Sequence, residues 1–361
     1  MPVLEISLAD QNPVVNYLSY NLSEPDVLIW LIPENYNYHF KNIQEKVDPE
    51  SKTQFFTKNI PENDLPGIIN ICKKIQEEYK DYEIQINVTG GKKVQALIIT
   101  NFFYDVAKKI FFVDVKHSRI YDILNGKTTN YFFDLTVNEY LEIQGIEMEA
   151  GLRFDPEIGL RSNLSYYIGN NIYAISPFID KVREEYNPNQ ESNEELKWEL
   201  DRNDARMNVI FNPETQKMVF QFNSYENQNT IEMDKDKGAD YFLEGGWLRE
   251  LTFLRIHKGT NFDARLNIEL NKNSLPEGER LEHLIDIGSI KGSCLYLFQC
   301  FAYPINRNSY FKLKSLRSTK DLLHADAFIM LAHKPNRSFV DQAHSDGIKI
   351  VYGKRISKFN F

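Results

Sequence analysis

The stretch EIQINVTGGKKVQALIIT, residues Glu83–Thr100, changes its hydrophobic period halfway along, and this change indicates the fold. Its first part alternates apolar and polar residues, as a β-strand does. The chain then breaks at Thr89–Gly91 and restarts from Val94 as an apolar run with helical spacing. A strand, a glycine turn and a helix in this order leave backbone N–H groups free at the helix N-terminus. Such groups, together with the helix dipole, attract phosphate.

The residues of this turn suit a phosphate ligand. Gly90 and Gly91 allow a ligand to approach the backbone closely, Thr89 adds a hydroxyl, and Lys92 and Lys93 add positive charge. The motif is short, however, and lacks the full spacing of a P-loop or of a dinucleotide-binding fingerprint. On this motif alone, a phosphate site and an ordinary strand-to-helix turn are equally acceptable interpretations.

Strands and helices alternate through the first 115 residues. The apolar patterns predict strands at Val3–Leu8, Val27–Ile32 and Lys109–Val115, and helices at Val14–Tyr20 and Leu65–Tyr79. This alternation is typical of a doubly wound parallel sheet, in which ligands bind beyond the carboxyl ends of the strands. We therefore expect three loops to converge on one site, namely those near Gln11, near Pro33 and at 89–93.

The remaining chain divides into two further parts. A hairpin at Arg119–Tyr131, turning at Asn125-Gly126, and a helix at Leu135–Gly145 complete the first domain. The acidic stretch between Ser176 and Met207 indicates a helical connector with a solvated segment. We predict a first domain at 1–145, a connector at 146–240 and a last domain at 241–361, with strands expected at 207–211, 218–223, 264–270, 282–290 and 294–302.

Composition and charge limit the classes of protein that remain. The chain has 361 residues, 42% of them hydrophobic, and a formal net charge of −9. It shows no membrane-spanning stretch and no signal peptide, and its three cysteines have no metal-type spacing, so we expect a cytoplasmic protein without a membrane partner. Residues 302–361 carry 11 Lys and Arg against 4 Asp and Glu. This basic end is either a surface for DNA or RNA or a solvated face.

Five blocks of sequence, in order, resemble one family. They are SLADQNPVVN, NVTGGKKVQALIITNFF, IFFVDV with FFDLTVNEYLEIQGI, LEGGWLREL, and LEHLIDIGSIKGSCLYLFQCFA. Over nearly its whole length the chain resembles the CARF-domain proteins of type III CRISPR systems that carry a C-terminal restriction-endonuclease-like domain. Lys92 stands where that family usually has a second threonine. The resemblance implies an α/β protein with an N-terminal Rossmann-like parallel sheet and a C-terminal α/β nuclease-like domain.

The resemblance also implies a ligand and the residues that bind it. Members of the family dimerise and bind a cyclic oligoadenylate, most often the tetraadenylate, across the two-fold axis. By this analogy the backbone amides of Thr89, Gly90 and Gly91, with Lys92 or Lys93 nearby, bind phosphates. The expected contacts to adenine or ribose come from Asp10, Gln11 and Asn12, and the rim of the site is formed by Pro33, Glu34 and Asn35.

The effector end departs from the PD-(D/E)xK pattern of the family. Asp286 falls on the metal-binding aspartate and Glu250 on the helix glutamate. Where the family has Glu-x-Lys, this chain has Gln299-Cys300-Phe301. A neutral amide brings no charge to a divalent cation, and Phe301 removes the ammonium group. We therefore expect a degenerate catalytic site, at which only Asp286 offers a weak metal ligand.

The sequence therefore predicts a homodimeric sensor that binds a cyclic oligoadenylate and relays it to a nuclease-like domain without standard catalysis. One alternative is an active nuclease that uses Mg²⁺ or Mn²⁺, with a repositioned lysine (Lys291, Lys312 or Lys314) or a site rebuilt from His283. A second alternative is a module that binds nucleic acid or a partner protein through its basic end. These alternatives remain open at the level of sequence.

Overall fold

A computed structural model gives the architecture of the chain. It describes residues 1–33, 43, 52–153, 156–186, 195–224, 227–257, 263–275 and 284–360. The packing divides the chain into two compact units. Unit 1 comprises Met1–Glu147 and Ile290–Cys294, and unit 2 comprises Met148–Ser289 and Leu295–Phe361. The stretch predicted as a connector, 146–240, is not a separate body, because from Met148 onward it belongs to unit 2.

Unit 1 is built on a seven-stranded sheet with the order β3-β2-β1-β4-β5-β6-β7. Strands β1 to β5 are parallel, and β6 and β7 continue the sheet as an antiparallel hairpin. The strands are β1 (Val3–Leu8), β2 (Val27–Pro33), β3 (Gln54–Ile60), β4 (Glu83–Asn87), β5 (Lys109–Asp114), β6 (Arg119–Asp122) and β7 (Lys127–Asn130). The helices are α1 (Pro13–Ser23), α2 (Leu65–Glu78), α3 (Lys93–Phe103) and α4 (Val137–Ile143).

The predicted α/β class and the doubly wound parallel sheet are confirmed. Strand β2 is buried along its whole length, as its uninterrupted apolar run predicted. Strand β3 was not predicted, because its sequence QFFTKNI alternates poorly and it lies at the exposed edge of the sheet. The strand order reverses between β1 and β4, so the crevice at this switch point lies where ligands bind in such sheets.

Unit 2 begins with strand β8 (Met148–Leu152) and contains two sheets. A four-stranded antiparallel sheet has the order β12-β11-β10-β9, and a six-stranded mixed sheet has the order β17-β16-β15-β14-β13-β8. The first sheet consists of β9 (Leu196–Arg202), β10 (Ala205–Asn212), β11 (Lys217–Ser224) and β12 (Asn227–Asp234). The other strands of the second sheet are β13 (Ala264–Leu270), β14 (Leu284–Lys291), β15 (Cys294–Phe301), β16 (Asp326–Leu331) and β17 (Ile348–Tyr352).

Seven α-helices of the described chain pack in unit 2. They are α5 (Pro156–Leu160), α6 (Ser162–Asn170), α7 (Ile172–Glu185), α8 (Trp247–His257), α9 (Arg307–Leu322), α10 (Arg337–Ser345) and α11 (Lys354–Ser357). Gly245, with φ +99°, precedes α8, and the Trp247 side chain at the start of that helix is buried in the main core. Within the described ranges no helix combines the length and hydropathy needed to cross a bilayer.

A buried polar network lies in the core of unit 1. Glu5 on β1 is fully buried, and its carboxylate accepts a hydrogen bond of 2.8 Å from the Ser19 hydroxyl on α1. Asn87 on β4 donates to the hydroxyls of Ser19 and Ser7, at 2.6 and 3.0 Å. Burial raises the pKa of Glu5 to about 7, although hydrogen bonds from Ser23 and Ser19 oppose this rise. A buried carboxyl group thus lies on β1, one of the strands that lead into the expected ligand loops, and contacts α1.

The substitution Glu5→Gln is expected to stabilise the protein at alkaline pH. The folded pKa of Glu5 is raised from 4.5 to about 7, so the stability that its protonated form contributes is present below pH 4.5 and is lost as the pH rises through 7. At pH 8 the variant should gain roughly 2–3 kcal/mol in free energy of unfolding, and the gain should vanish near pH 4.5.

Urea denaturation of the two proteins between pH 4.5 and 8.5 measures this difference. The matched control is Glu77→Gln, because Glu77 is exposed on α2 and should leave the pH profile of stability unchanged. A gain in stability that does not depend on pH would contradict the assignment of a raised pKa to Glu5.

Candidate functional site

Two of the three predicted ligand loops lie against each other at the switch point of the sheet. Strands β1 and β4 are parallel neighbours, so the loops that follow them leave the same edge. The Gly91 amide donates to the Ala9 carbonyl at 2.9 Å, and the Ala9 amide donates to the Leu31 carbonyl of β2 at 3.0 Å. The loop after β1 therefore bridges the ends of β2 and β4.

Gly90 is the point of closest approach between these loops. A Cβ atom placed on Gly90 would lie 2.4 Å from the Leu8 carbonyl oxygen and 2.6 Å from the Asp10 amide nitrogen. Because both neighbours are backbone atoms that the sheet holds in place, no side chain fits at this position. Gly91 has φ +72°, a backbone conformation that glycine adopts without strain. Both glycines of the motif are thus required by the local geometry.

Thr89 is oriented by the buried network rather than by solvent. The Asn87 amide oxygen accepts hydrogen bonds from the Thr89 amide at 3.0 Å and from the Thr89 hydroxyl at 2.5 Å. The Thr89 hydroxyl in turn accepts from the Val113 amide at 2.8 Å. Sequence reasoning did not assign a role to Asn87, although a polar residue at the end of a buried strand is a usable signal. Its side chain joins the turn to Ser19 and Glu5.

The two lysines of the motif differ in their surroundings. The Lys92 ammonium forms an ion pair with Glu62, and the Lys92 amide donates to the Gln95 side chain at 3.0 Å. Lys93 is exposed at the first position of α3, beside backbone amides that have no acceptor within the helix. Lys93 is therefore the better placed of the two cations for a phosphate at the N-terminus of this helix.

The residues of the first loop have distinct local partners. The Asn12 side chain caps α1 by accepting from the Val14 amide at 3.1 Å, and it also accepts from the Gln144 amide group at 3.0 Å. The Asp10 carboxylate accepts from the Asn12 amide at 2.9 Å. Gln11 is exposed at the tip of the loop. The structure thus places Asp10 and Asn12 as loop-forming residues and leaves Gln11 facing solvent.

The third predicted loop is described only at its first residue. Pro33 ends β2 and is buried. Glu34 and Asn35 lie outside the described residues, as does His283 of the effector end. The part of the site that the structure describes is therefore the junction of the loops after β1 and β4.

The effector end brings Asp286 and Gln299 together on adjacent strands. The Gln299 amide group donates to the Asp286 carboxylate at 2.8 Å, and the Cys300 backbone amide donates to the same oxygen at 2.7 Å. Gln299 is only 1% exposed. A glutamate at position 299 could not donate this hydrogen bond, and it would place a second negative charge beside Asp286. The Gln299 amide group therefore supplies a hydrogen-bond donor to the Asp286 carboxylate, and this contact requires no metal ion.

Two cations lie near the Asp286 carboxylate. An Arg249 nitrogen lies 3.9 Å from it, and Lys312 lines the same cavity of about 230 Å³. Burial raises the pKa of Asp286, while the charges of Arg249 and Lys312 and the Cys300 amide limit the rise. Phe301, at the position of the family's lysine, also lines this cavity and makes an edge contact with Phe339 at 6.3 Å. The sequence did not point to Arg249, but it did indicate Lys312 as a candidate for a repositioned catalytic lysine.

Glu250 does not serve the Asp286 site in this structure. It is fully buried, and its carboxylate forms an ion pair of 2.7 Å with the Arg161 guanidinium of unit 2. The Arg161 Nε atom donates to both carboxylate oxygens, at 2.8 and 3.0 Å. Glu250 was predicted as the helix glutamate of the catalytic site, and the structure shows its carboxylate hydrogen-bonded to Arg161.

The donor set around Asp286 does not fit a divalent cation. Mg²⁺ and Mn²⁺ prefer several anionic oxygen ligands, whereas Asp286 faces two amide donors and two cationic side chains. Across the ranges that the structure describes, no three His, Cys, Asp or Glu side chains meet in a group that could hold a metal ion. We derive no metal-dependent step for this site.

The basic end at 302–361 neutralises part of its own charge. Each of its four acidic residues, Asp321, Asp326, Asp341 and Asp346, forms at least one ion pair with a cation of the same segment. The partners include Arg317, whose guanidinium contacts Asp346 at 2.8 Å, and Lys320, which contacts Asp321 at 2.8 Å. These pairs leave the excess of 11 basic over 4 acidic residues in this segment unchanged, so a surface for DNA or RNA and a solvated face both remain open.

A family model assigns the first unit. Residues 20–140 match the model described as the Card1 CARF domain. This match covers the glycine turn, α3 and the hairpin, and it begins after the loop at Asp10. The doubly wound sheet of unit 1 is therefore similar to a CARF domain over these residues. A comparison with curated proteins finds no match.

Solved structures share the fold of the whole chain. Can2 from Sulfobacillus thermosulfidooxidans, solved in complex with cyclic tetra-adenylate, is 15% identical with a TM-score of 0.64, and the match covers 98% of this chain and 96% of that one. The protein VC1899 from Vibrio cholerae is 15% identical with a TM-score of 0.69, covering 99% and 95%. A type III CRISPR defence DNA nuclease activated by cyclic oligoadenylate is 12% identical with a TM-score of 0.53, covering 92% and 45%.

Proposed function

We propose that this protein is a sensor of cyclic oligoadenylate in type III CRISPR defence, and that its effector domain has lost the standard metal-dependent nuclease chemistry. The observation that carries the first part is the CARF domain at 20–140, with Gly90 and Gly91 packed against the end of β1. Can2, which shares the fold over its full length, was solved with cyclic tetra-adenylate bound. The second part is carried by the hydrogen bond between Gln299 and Asp286.

The proposed binding mode follows from the geometry of the loops. Phosphates of the ring bind the backbone amides at Thr89–Gly91 and the start of α3, with the Lys93 ammonium nearby. The exposed Gln11 amide is positioned to contact adenine or ribose, while Asp10 and Asn12 hold the loop in shape. Asp10 carries a negative charge, so it faces a base or a 2′-hydroxyl rather than a phosphate.

Calorimetric titration with cyclic tri-, tetra- and hexaadenylate tests the sensor. We expect the tetraadenylate to bind most tightly, and Lys93→Glu to weaken it about 10-fold or more because a negative charge then faces phosphate. The matched control is Lys73→Glu, since Lys73 is exposed on α2 and away from the turn, and should bind like the wild type. Failure of the wild-type protein to bind any of the three rings would remove the sensor function.

We propose a homodimer in which helix α3 forms the interface. The outward face of this helix carries Val94, Leu97 and, at its end, Tyr104, which are 54%, 69% and 56% exposed. The same helix begins at the glycine turn, so a two-fold axis along this face would bring two ligand sites together. A symmetric ring suits such an arrangement, because each protomer contacts an equivalent half.

The substitution Leu97→Glu is expected to produce a monomer and to weaken ring binding about 10-fold or more, because it buries a charge in the interface. Light scattering coupled to size-exclusion chromatography measures the oligomeric state. Leu160→Glu is the control, since Leu160 is 77% exposed in unit 2 and should leave the dimer intact. The dimer proposal is wrong if the wild-type protein is a monomer at saturating ring.

An active nuclease is the second candidate function, and the observation that favours it is the presence of Lys312 in the same cavity as Asp286. The assay combines the protein with cyclic tetraadenylate, Mn²⁺, and single-stranded RNA, single-stranded DNA or supercoiled DNA. We expect cleavage no faster than that of Asp286→Ala, because the donor set suits a metal poorly. Cleavage by the wild type that Asp286→Ala abolishes would establish the nuclease instead.

A further inference from the structure

A second cavity lies in unit 2, bounded by the four-stranded sheet and two helices. Its volume is about 900 Å³, within the range of sites that hold whole ligands. The walls come from helix α6, from the turn between β9 and β10, from the ends of β11 and β12, and from Arg255 on helix α8. We name this space the asparagine cavity after the residue type that dominates its lining.

One face of α6 forms the longest wall. Asn163, Tyr166, Tyr167 and Asn170 are spaced as i, i+3, i+4 and i+7, so they project from the same side of the helix. The Tyr167 hydroxyl is fixed, because it donates to the Arg206 carbonyl and accepts from the Arg206 amide, both at 2.9 Å. Tyr167 is therefore held in place at the base of this wall, whereas Asn163 and Asn170 form its polar, exposed rim.

Side-chain amides dominate the lining. Each asparagine offers two N–H donors and one acceptor oxygen, the same complement that reads the edges of nucleic-acid bases. Aliphatic side chains contribute only Ala205. Such a lining suits a ligand rich in both donors and acceptors, and the six asparagines are Asn163, Asn170, Asn171, Asn203, Asn223 and Asn229.

The charges of the cavity favour an anionic ligand. Arg202, Arg206 and Arg255 line it. Arg202 forms an ion pair with Asp204 at 3.1 Å and Arg206 with Asp201 at 2.9 Å, but both pairs are more than half exposed and therefore weak, so these guanidinium groups can exchange a carboxylate for a phosphate. The Arg255 guanidinium stacks over the Tyr166 ring, 4.9 Å from the centroid. The Arg255 Nε atom is buried and has no hydrogen-bond partner within the part of the chain that the structure describes. Phosphate would contact the part of Arg255 that lines the cavity and not the buried Nε atom, and a permanently charged, planar guanidinium suits such a contact.

We infer that the asparagine cavity binds single-stranded nucleic acid, with phosphates at Arg255 and Arg202 and base edges at the asparagine amides. The exposed rim at Asn163, Asn170 and Asn203 lets the strand enter and leave, so a short segment occupies the cavity and the chain continues outside. This site is separate from the ring site of unit 1 and does not depend on ring binding.

Helix α8 links this cavity to the Asp286 site. Arg249 faces Asp286 and Arg255 lines the asparagine cavity, six residues further along the same helix and thus about 9 Å along its axis. Both positions lie in unit 2. The cavity combines arginines, which can contact phosphates, with six asparagine amides, which can contact base edges.

Fluorescence anisotropy of the full-length protein with labelled, unstructured 12-nucleotide RNA and DNA tests this inference. We expect Asn163→Asp to weaken binding about 5-fold or more, because it places a carboxylate at the rim beside the phosphates. Arg202→Gln, at a side chain that is 55% exposed, should weaken binding and lower the slope of log affinity against log salt by about one. The RNA and DNA arms decide which strand the cavity prefers.

Matched substitutions outside the cavity complete the design. Asn273→Asp adds the same charge at an exposed position of unit 2, and Arg337→Gln removes an exposed cation of the C-terminal segment. Both should bind within about two-fold of the wild type. The inference is overturned if the wild type binds neither oligonucleotide, if Asn163→Asp and Asn273→Asp behave alike, or if Arg337→Gln weakens binding as much as Arg202→Gln.

Discussion

Unit 1 depends on one close approach, between the backbone of the turn after β4 and the backbone at the end of β1. A Cβ on Gly90 would collide with main-chain atoms of Leu8 and Asp10, so only glycine allows these two strands to end side by side. This contact places the N-terminus of α3 next to the loop at Asp10, at the switch point of the sheet. The concentration of backbone amides there is a consequence of that packing.

The polar groups behind this contact keep the turn in one conformation. Asn87 holds the Thr89 amide and hydroxyl, and it is itself held by Ser7 and Ser19, next to the buried Glu5. In unit 2 the carboxylate of Asp286 has different surroundings. There Asp286 is satisfied by an amide and by nearby cations, which replace the negative charges that a metal would need. Unit 1 holds its turn through hydrogen bonds to Asn87, and unit 2 balances the charge of Asp286 with amide donors and cations.

Sequence patterns predicted most of the first unit and much of the second. The strands at β1, β2, β4 and β5 follow runs of apolar residues that parallel neighbours bury, and the turn at Asn125-Gly126 requires the positive φ that Gly126 shows. Strand β3 was not predicted, because a strand at the exposed edge of a sheet has only a weak alternation of apolar and polar residues. Strand β9, within the predicted connector, was not predicted, because charged residues hid its pattern and tertiary contacts decide its pairing with β10.

The sequence by itself determined the alternation of strands and helices and the glycine turn, because each depends on local residue type and spacing. Only the tertiary structure decided which side chains meet. It paired Glu250 with Arg161, Lys92 with Glu62 and Asp286 with Gln299. It also gathered six asparagines from α6 and four strands or turns into one cavity. These contacts join residues far apart in sequence, and the folding of the chain around its cores brings them together.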